Sequence, residues 1–366
     1  MKLFKSLLVA PASLGLLAPM AATANEVTIN DFNAAEEIAV TNSRVDGLEA
    51  RLNNFEAGSF SETTAASFSV DAVLGAIDGD ATTEATTFEY QFNIGLSTSF
   101  TGEDSLDIAI DSGSDAAATT DNPMAFDTGA SLSVDGVAYS FPLGGASMTV
   151  GNDTDISATF TGACSYSAFT DYMGDCGTGN SIGVGGSGVT ATIGYAFDSG
   201  FSLAGGISGE ATTVASGSTV SNGLLTKEGS DIYGIEAAYT ADSYGVAVAY
   251  VSNDGGTGAE TTYWGVNATY SFDMFDVSVG YETEEKTVTE TGYFVGLTFP
   301  EVGPGSVSIG AGTSDNFADT ADELMVYEAS YSYPVNDSMT ITPGVFIEEK
   351  SGDDLTGVLV KTSFSF

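Results

Sequence analysis

The residues that could do chemistry in this 366-residue chain are overwhelmingly carboxylates. The sequence has 50 Asp and Glu against 8 Lys and Arg, no His, and a formal net charge of −42. Without His, Ser-His-Asp and Cys-His catalysis and His-ligated metal sites are excluded. So few cations also argue against nucleic acid as a partner, because phosphate contacts need Lys and Arg. An enzyme would need paired carboxylates, and no pair stands out among so many, so we assign no catalytic residues and no metal ligands.

The long segment 152–187 carries the most distinctive combination of side chains. Four carboxylates lie on it, namely Asp153, Asp155, Asp171 and Asp175, together with the only two cysteines, Cys164 and Cys176. In an oxidising compartment the cysteines would pair and brace the segment. Two unpaired thiols, or a two-Cys metal site, are the alternatives.

The segments that must position these residues alternate between apolar and polar side chains from residue 60 onward. The clearest example places apolar residues or Thr on one face and polar residues or Gly on the other, the first face being Phe88, Tyr90, Phe92, Ile94, Leu96, Thr98 and Phe100. Seven consecutive positions that follow this alternation are typical of a strand of about ten residues that crosses a membrane at a tilt. The pattern recurs along the chain, with weaker strands near 67–77, 105–111, 130–141 and 146–151.

The count and the connections predict a closed barrel. We count about sixteen strands, and from residue 197 short turns such as 198–200 alternate with longer acidic loops such as 208–230 and 283–291. That asymmetry is typical of outer-membrane barrels. Because every backbone polar group in hydrocarbon must be paired, only helices or closed sheets can span, and no apolar run here is long enough for a helix. The fold predicted is therefore all-β, a transmembrane antiparallel β-barrel over residues 59–366, whose lumen is wide enough for water.

Strand parity assigns the inner face of this barrel. It places six polar residues towards the lumen, Glu89, Asn93, Glu236, Asn267, Glu328 and Lys361, and the aromatic residues towards lipid. Rings of Asp and Glu favour cations, so the acidic lumen and loops predict a weakly cation-selective pore. Alternatively, many of these acids are solvated loop residues that serve solubility or bind Ca²⁺ loosely. No other cofactor is expected.

The N-terminal region predicts export followed by a short helix. Residues 1–24 have two lysines, an apolar run and small residues before Asn25, as in a secretory signal peptide. Residues 25–58 then show an a/d heptad pattern that includes Ile38, Val45, Leu48 and Leu52. The heptads predict a coiled-coil stalk for self-association, and a single amphipathic helix packed on the body is the alternative.

The C-terminus alternates to its last residue. Val358, Val360, Thr362, Phe364 and Phe366 share one face, and Leu359, Lys361, Ser363 and Ser365 share the other. A closing strand with a terminal Phe resembles the recognition signal of the bacterial outer-membrane assembly machinery, and we assign Phe364 and Phe366 to that signal.

Two parts of the sequence resemble cyanobacterial outer-membrane porins of the carbohydrate-selective OprB family. The stalk from Ser43 to Leu52 is similar, and so are the barrel segments Tyr139–Gly144 and Ile341–Val345. Those porins usually carry a surface-layer-homology domain before the stalk, and only some thirteen residues separate the signal from the heptads here. The resemblance implies a homotrimeric diffusion porin for sugars, inorganic ions or iron. It also implies that segment 152–187, at the third long loop, folds into the lumen and narrows it; an ordinary surface loop is the alternative.

The sequence therefore predicts an outer-membrane diffusion porin that contacts lipid, passes small hydrophilic solutes and ions, and is not an enzyme. The main alternative is a structural barrel or receptor with an occluded lumen. A soluble β-solenoid is disfavoured because no fixed repeat is visible.

Overall fold

The computed structural model describes residues 64–79, 82–114, 123–126, 129–186, 188–209, 211–213, 219–221, 224–225, 229–255, 259–313 and 324–366. The signal segment 1–24 and the stalk 25–58, with Ile38, Val45, Leu48 and Leu52, lie outside the described residues. The expectations for these two segments therefore stay predictions.

Eighteen strands follow one another along the described chain, and sixteen of them form the wall of a barrel. They are β1 (Thr64–Gly79), β2 (Thr82–Thr98), β3 (Ser105–Gly113), β4 (Ser133–Leu143), β5 (Ala146–Asn152), β6 (Val189–Ala196), β7 (Phe201–Gly209), β8 (Ala211–Thr213), β9 (Thr219–Ser221), β10 (Asp231–Thr240), β11 (Tyr244–Asn253), β12 (Thr261–Ser271), β13 (Asp276–Glu285), β14 (Thr289–Val302), β15 (Gly305–Thr313), β16 (Met325–Asn336), β17 (Met339–Glu348) and β18 (Leu355–Ser365). Strands β8 and β9 pair only with each other, as a small hairpin between β7 and β10.

The sheet closes on itself without a free edge. Each wall strand pairs antiparallel with its neighbours in chain order, β7 pairs with β10, and β1 pairs with both β2 and β18. At the closure, the Phe366 amide donates to the Phe68 carbonyl at 2.9 Å and the Phe68 amide donates back at 3.2 Å. The predicted antiparallel barrel of about sixteen strands is confirmed.

The outer face of the wall is a belt of exposed apolar side chains, as strand parity predicts. Ile235 is 62% exposed and Val358 is 65% exposed, although both lie in the middle of regular strands. Aromatic rings meet beside the short turns, for example Tyr195 with Phe197 and Phe201 with Tyr239, each pair at 4.7 Å between centroids. An apolar band bordered by aromatic residues is the surface that a lipid bilayer accommodates.

One predicted connection is wrong. The segment 283–291 was expected to be a long acidic loop, but β13 runs to Glu285 and β14 begins at Thr289, so only residues 286–288 connect them. Its charges indicated a loop, yet five of its nine residues, four Thr and Val288, are β-branched, and β-branched residues favour strands. Here the hairpin register continues to the pair Glu285 and Thr289.

The expectation that aromatic residues all face lipid is also wrong. Phe294 on β14 and Phe346 on β17 point inward and are 3% and 1% exposed, and Leu359 on the inner face of β18 is 1% exposed. They are dry because chain segments inside the barrel cover them. Within the described ranges, no helix is long and apolar enough to cross a membrane.

Candidate functional site: an infolded loop between two inner walls

The longest described connection, residues 153–188 between β5 and β6, lies inside the barrel. It contains two short 3-10 segments, Ile156–Thr159 and Asp171–Gly177. Ile156 is fully buried and Met173 is 1% exposed, both against inward side chains of the wall. We call this segment the infolded loop. Its backbone lacks a sheet to pair with, so the N–H groups that do not bond within the loop need acceptors from the wall.

Glu328 on β16 supplies the densest set of such acceptors. One carboxylate oxygen accepts from the Tyr166 hydroxyl and the Phe169 amide, each at 2.8 Å. The other oxygen accepts from the amide of Thr170 at 2.8 Å and from its hydroxyl at 2.6 Å. Four donors from one bend of the loop therefore converge on a single carboxylate that is 3% exposed.

Glu236 on β10 and Asn267 on β12 hold the preceding part of the loop. The Glu236 carboxylate accepts from the amides of Thr161 at 2.5 Å and Gly162 at 3.1 Å. The Asn267 side chain accepts from the Ala163 amide at 2.7 Å and donates to the Thr178 hydroxyl at 3.2 Å. A carboxylate thus meets donors only, whereas the amide meets one donor and one acceptor.

Two residues of β13 also hold the infolded loop. The Ser278 hydroxyl accepts from the Ser165 amide at 3.1 Å. The Glu282 carboxylate accepts from the Asn180 side-chain amide at 3.0 Å and the Ser181 hydroxyl at 2.5 Å. The loop therefore runs along the wall from β10 to β16 and returns to β13. We call the inner face of β10 to β17 the anchoring wall.

Glycines beside these anchors make room for the loop. Gly280 pairs with Asn267 across the strands, Gly265 with Glu282, and Gly310 with Glu328. A Cβ on Gly280 would lie 1.9 Å from the Cys176 carbonyl oxygen, and one on Gly310 would lie 2.5 Å from the Tyr166 hydroxyl. The loop can approach the wall this closely only where the wall has no side chain.

An apolar cluster fixes the far end of the loop. Phe169 packs with Val73, Phe346, Leu355 and Leu359 of the wall. Phe126, from the connection between β3 and β4, joins the same cluster and is 6% exposed. The Asp171 amide donates to the Pro123 carbonyl at 2.7 Å, so this second connection also reaches into the barrel.

The two cysteines join the outgoing and returning parts of the infolded loop. Cys164 and Cys176 form a disulfide with a Cα–Cα distance of 5.8 Å, Cys164 being exposed and Cys176 fully buried. The bridge closes the stretch that carries both Tyr166 and Thr170. It therefore restrains the bend that Glu328 holds.

The four predicted loop carboxylates lie in an unfavourable environment for negative charge. Burial raises the pKa of Asp153 and of Asp175 above the ordinary Asp value. Burial and the neighbouring Asp175 carboxylate raise the pKa of Asp155 and of Asp171. Among the described residues, no group of three Cys, Asp or Glu converges as a metal ion would require, and loose Ca²⁺ binding stays a prediction.

The inner face of β1 to β4 carries its acids differently, and we call it the open wall. Asp107 and Asp135 are exposed, Glu89 and Asp71 are half-buried, and Asp111 is buried and accepts from the Ser133 hydroxyl at 3.2 Å. A bulge between β3 and β4 sets Asp135 inside beside Asp111, and Asn93 pairs with Asp111. Lys361 on β18 is the cation on the adjoining inner face among the described residues.

The six residues that parity assigned to the lumen thus separate into two sets. The strand register puts all six on the inner face, but Glu236, Asn267 and Glu328 are covered by the infolded loop, and Glu89, Asn93 and Lys361 are not. Sequence reasoning missed Ser278, Glu282 and the anchoring glycines. Glycines at the inward-facing positions of the strands can be recognised in the sequence. They indicate a loop contact only when it is known which segment covers the wall.

A closed antiparallel barrel of this size, with an apolar exterior and a polar interior, is the architecture of an outer-membrane channel. Solved structures share it. The high-pH structure of OprB from Pseudomonas putida has a TM-score of 0.65 at 14% identity, with 83% of this chain and 94% of that chain covered. A loop-deletion mutant of OmpT from Vibrio cholerae has a TM-score of 0.58 at 12% identity, with coverage of 83% and 100%. A mutant porin from Rh. blastica has a TM-score of 0.52 at 16% identity, with coverage of 82% and 100%.

The sequence itself gives the family. Residues 67–354 match the Gram-negative porin family, and the chain belongs to it. An uncharacterised protein from Nostoc sp. is 40% identical over 97 residues, which are 23% of this chain and 16% of that protein. The chain thus spans about one sixth of the length of that relative.

Proposed function

We propose that this outer-membrane porin passes small hydrophilic solutes and inorganic ions with a weak preference for cations. The observation that carries the proposal is the open wall, where Asp71, Glu89, Asp107 and Asp135 have solvent access and Lys361 is the adjoining cation among the described residues. The barrel interior is bounded by low-dielectric lipid, which focuses such a field even when salt screens it over about 8 Å.

The loop side of the pore adds charge of the same sign. Asp153, Asp155, Asp171 and Asp175 lie on the infolded loop, and no Arg follows Arg51 anywhere in the sequence. A pore with acids on both sides has no cationic face to attract anions. Acidic linings favour cations in channels generally.

Carbohydrate or iron transport follows from the OprB resemblance alone. A sugar-selective pore is expected to pair aromatic stacking with Arg, and the barrel sequence has no Arg. The inward Phe294 and Phe346 are 3% and 1% exposed, so they are unavailable for stacking on a solute. Homotrimer formation, recognition of Phe364 and Phe366 by the assembly machinery, and loose Ca²⁺ binding are likewise predictions.

The alternative is a barrel whose lumen is occluded, and the apolar cluster around Phe169 and Phe126 favours it. Single-channel recording in a planar bilayer separates the two functions. The porin gives discrete conductance steps whose size follows the KCl concentration, whereas an occluded barrel gives none. Swelling of proteoliposomes in arabinose, in lysine hydrochloride and in sodium glutamate, each iso-osmotic, then compares solutes. We expect lysine to enter faster than glutamate, and equal or inverted rates would contradict the cation preference.

A further inference from the structure

We propose that Glu328 is the positioning residue that sets the aperture of this pore, and that it does not contribute to the choice of ion. The inference rests on the proposed function, since it concerns the same lumen. It assigns separate roles to two inward glutamates that strand parity alone makes equivalent, Glu328 on the anchoring wall and Glu89 on the open wall.

Glu328 binds the infolded loop through both of its carboxylate oxygens. Its two oxygens take four hydrogen bonds from Tyr166, Phe169 and Thr170, all between 2.6 and 2.8 Å. The side chain is 3% exposed and all four of these partners are donors, and hydrogen bonds to a carboxylate are stronger than those between neutral groups. Among the hydrogen bonds given above, Glu236, Asn267, Ser278 and Glu282 each accept fewer.

The chemistry at this position requires a carboxylate. Glutamine has nearly the same size, but its side-chain amide has an NH₂ group, which donates hydrogen bonds, in place of one carboxylate oxygen. At position 328 that group would face either the Tyr166 hydroxyl and Phe169 amide or the amide and hydroxyl of Thr170. A donor would then oppose a buried backbone N–H that cannot turn away, and an unsatisfied buried donor is costly.

The place at which Glu328 holds the loop explains why its loss would change the aperture of the pore. Glu328 holds the bend between the outgoing part of the loop and the 3-10 segment Asp171–Gly177, next to the room that Gly310 leaves. Glu236 holds the approach to this bend, and Asn267 holds that approach at Ala163 and the returning part of the loop at Thr178. When Glu328 releases the bend, the loop remains attached to the barrel through β5 and β6, and the disulfide still joins its two parts. The bend then moves off the wall into the pore.

Glu89, in contrast, contributes to the cation preference of the pore. Glu89 lies on β2 and pairs across the strands with Val73, which contacts the loop in the apolar cluster around Phe169. It is half-buried and the infolded loop does not hydrogen-bond to it in the described structure. Its charge therefore faces the water in the lumen.

Glu328→Gln and Glu89→Gln make a matched pair, because each removes one inward carboxylate at constant size. Each purified barrel is recorded in a planar bilayer, in symmetric KCl for step size and open-channel noise, and across a KCl gradient for the zero-current potential. For Glu328→Gln we expect an altered step size and more open-channel noise, with about a tenfold or greater rise in the fraction of time spent in the released state, since bonds to a charged group are lost. For Glu89→Gln we expect wild-type step size and noise, with a zero-current potential closer to zero.

Milder variants keep the test usable if Glu328→Gln does not assemble. Tyr166→Phe and Thr170→Val each delete one hydroxyl that donates to Glu328, and each should increase noise less than Glu328→Gln does. Adding Tyr166→Phe to Glu328→Gln should increase noise no further, because both act through one carboxylate. Tyr327→Phe, on the outer face, is the control and should behave as wild type.

The outcomes separate this proposal from the one on which it rests. If the wild-type protein conducts cations and the folded Glu328 variants have wild-type steps and noise, the aperture role is wrong and the porin function stands. A shift in zero-current potential without a change in step or noise would place Glu328 in the ion path and also overturn the inference. A wild-type protein without conductance overturns both proposals.

Discussion

The anchoring wall and the open wall of this barrel carry the same kind of residue in opposite surroundings. Glu236, Glu282 and Glu328 on the anchoring wall are at most 3% exposed, and each accepts at least two hydrogen bonds from the infolded loop. On the open wall Asp107 and Asp135 are exposed and Glu89 is half-buried. An inward carboxylate therefore has no fixed role in a barrel. Whether a loop covers it decides whether its charge binds protein or acts on ions.

Removing charge from the open wall should have the largest effect on ion choice. The combined variant Glu89→Gln, Asp107→Asn and Asp135→Asn should lose most of the cation preference, because each charge contributes on the order of 1 kcal/mol at about 4 Å in water. The zero-current potential across a KCl gradient measures it. The triple exchange on the anchoring wall, Glu236, Glu282 and Glu328 to Gln, should alter step size and noise more than ion choice. Glu285→Gln, on the outer face, is the control for the loss of a single acid.

A side chain introduced at a loop contact should affect stability rather than ion choice. Gly280→Ala places a Cβ 1.9 Å from the Cys176 carbonyl oxygen, and overpacking of this kind costs about 1–3 kcal/mol. Denaturant unfolding should show the loss, and bilayer recordings should show a noisier open state. Gly95→Ala on the open wall meets only the Ser67 hydroxyl, which can rotate, so it should change neither measurement. Equal losses in the two variants would contradict the close seating of the loop.

Breaking the disulfide should loosen the infolded loop while the sheet stays closed. Cys164→Ser with Cys176→Ser removes a bridge between residues 12 apart in sequence, and bridges commonly stabilise by about 2–4 kcal/mol. We expect faster proteolysis within residues 153–188 and a noisier open state, with unchanged strand content by circular dichroism. Reduction of the wild-type protein with dithiothreitol should reproduce the effect and should leave the double variant unaffected.

Acidification should neutralise the infolded loop before ordinary carboxylates. The pKa values of Asp153, Asp155, Asp171 and Asp175 are raised, chiefly by burial, so the neutral form is favoured and charge is lost as pH falls through values above the usual Asp range. Cation preference measured against pH should therefore begin to decline above that range. The variant with all four residues changed to Asn should lack this upper part of the decline. This is the smallest effect, since the open wall keeps its charge there.

The sequence was sufficient for the wall because strand parity is a local property. Alternation around Phe88–Phe100 and through Val358–Phe366 predicted the strands, their outer faces and the closure at the C-terminus, all seen in the structure. It failed at 283–291, where the charges indicated a loop although Thr283, Thr289 and Thr291 lie in the strands.

The interior could not be read from the sequence because it depends on long-range contacts. Glu89 and Glu328 have the same parity, and only the position of the infolded loop distinguishes them. Two of the four donors to Glu328 are backbone amides more than 150 residues away in sequence, which no side-chain pattern reveals. The inward Phe294 and Phe346 depart from the alternation rule because the same loop shields them from water.

The zero-current potential of the wild-type protein in a planar bilayer, measured across a KCl gradient, tests the central claim most directly. The acidic open wall predicts discrete conductance steps and a zero-current potential of the sign that K⁺ flow produces. This potential should be smaller at high salt, because the screening length is then shorter. Discrete steps with a potential of the opposite sign, or with none at any salt concentration, would contradict it.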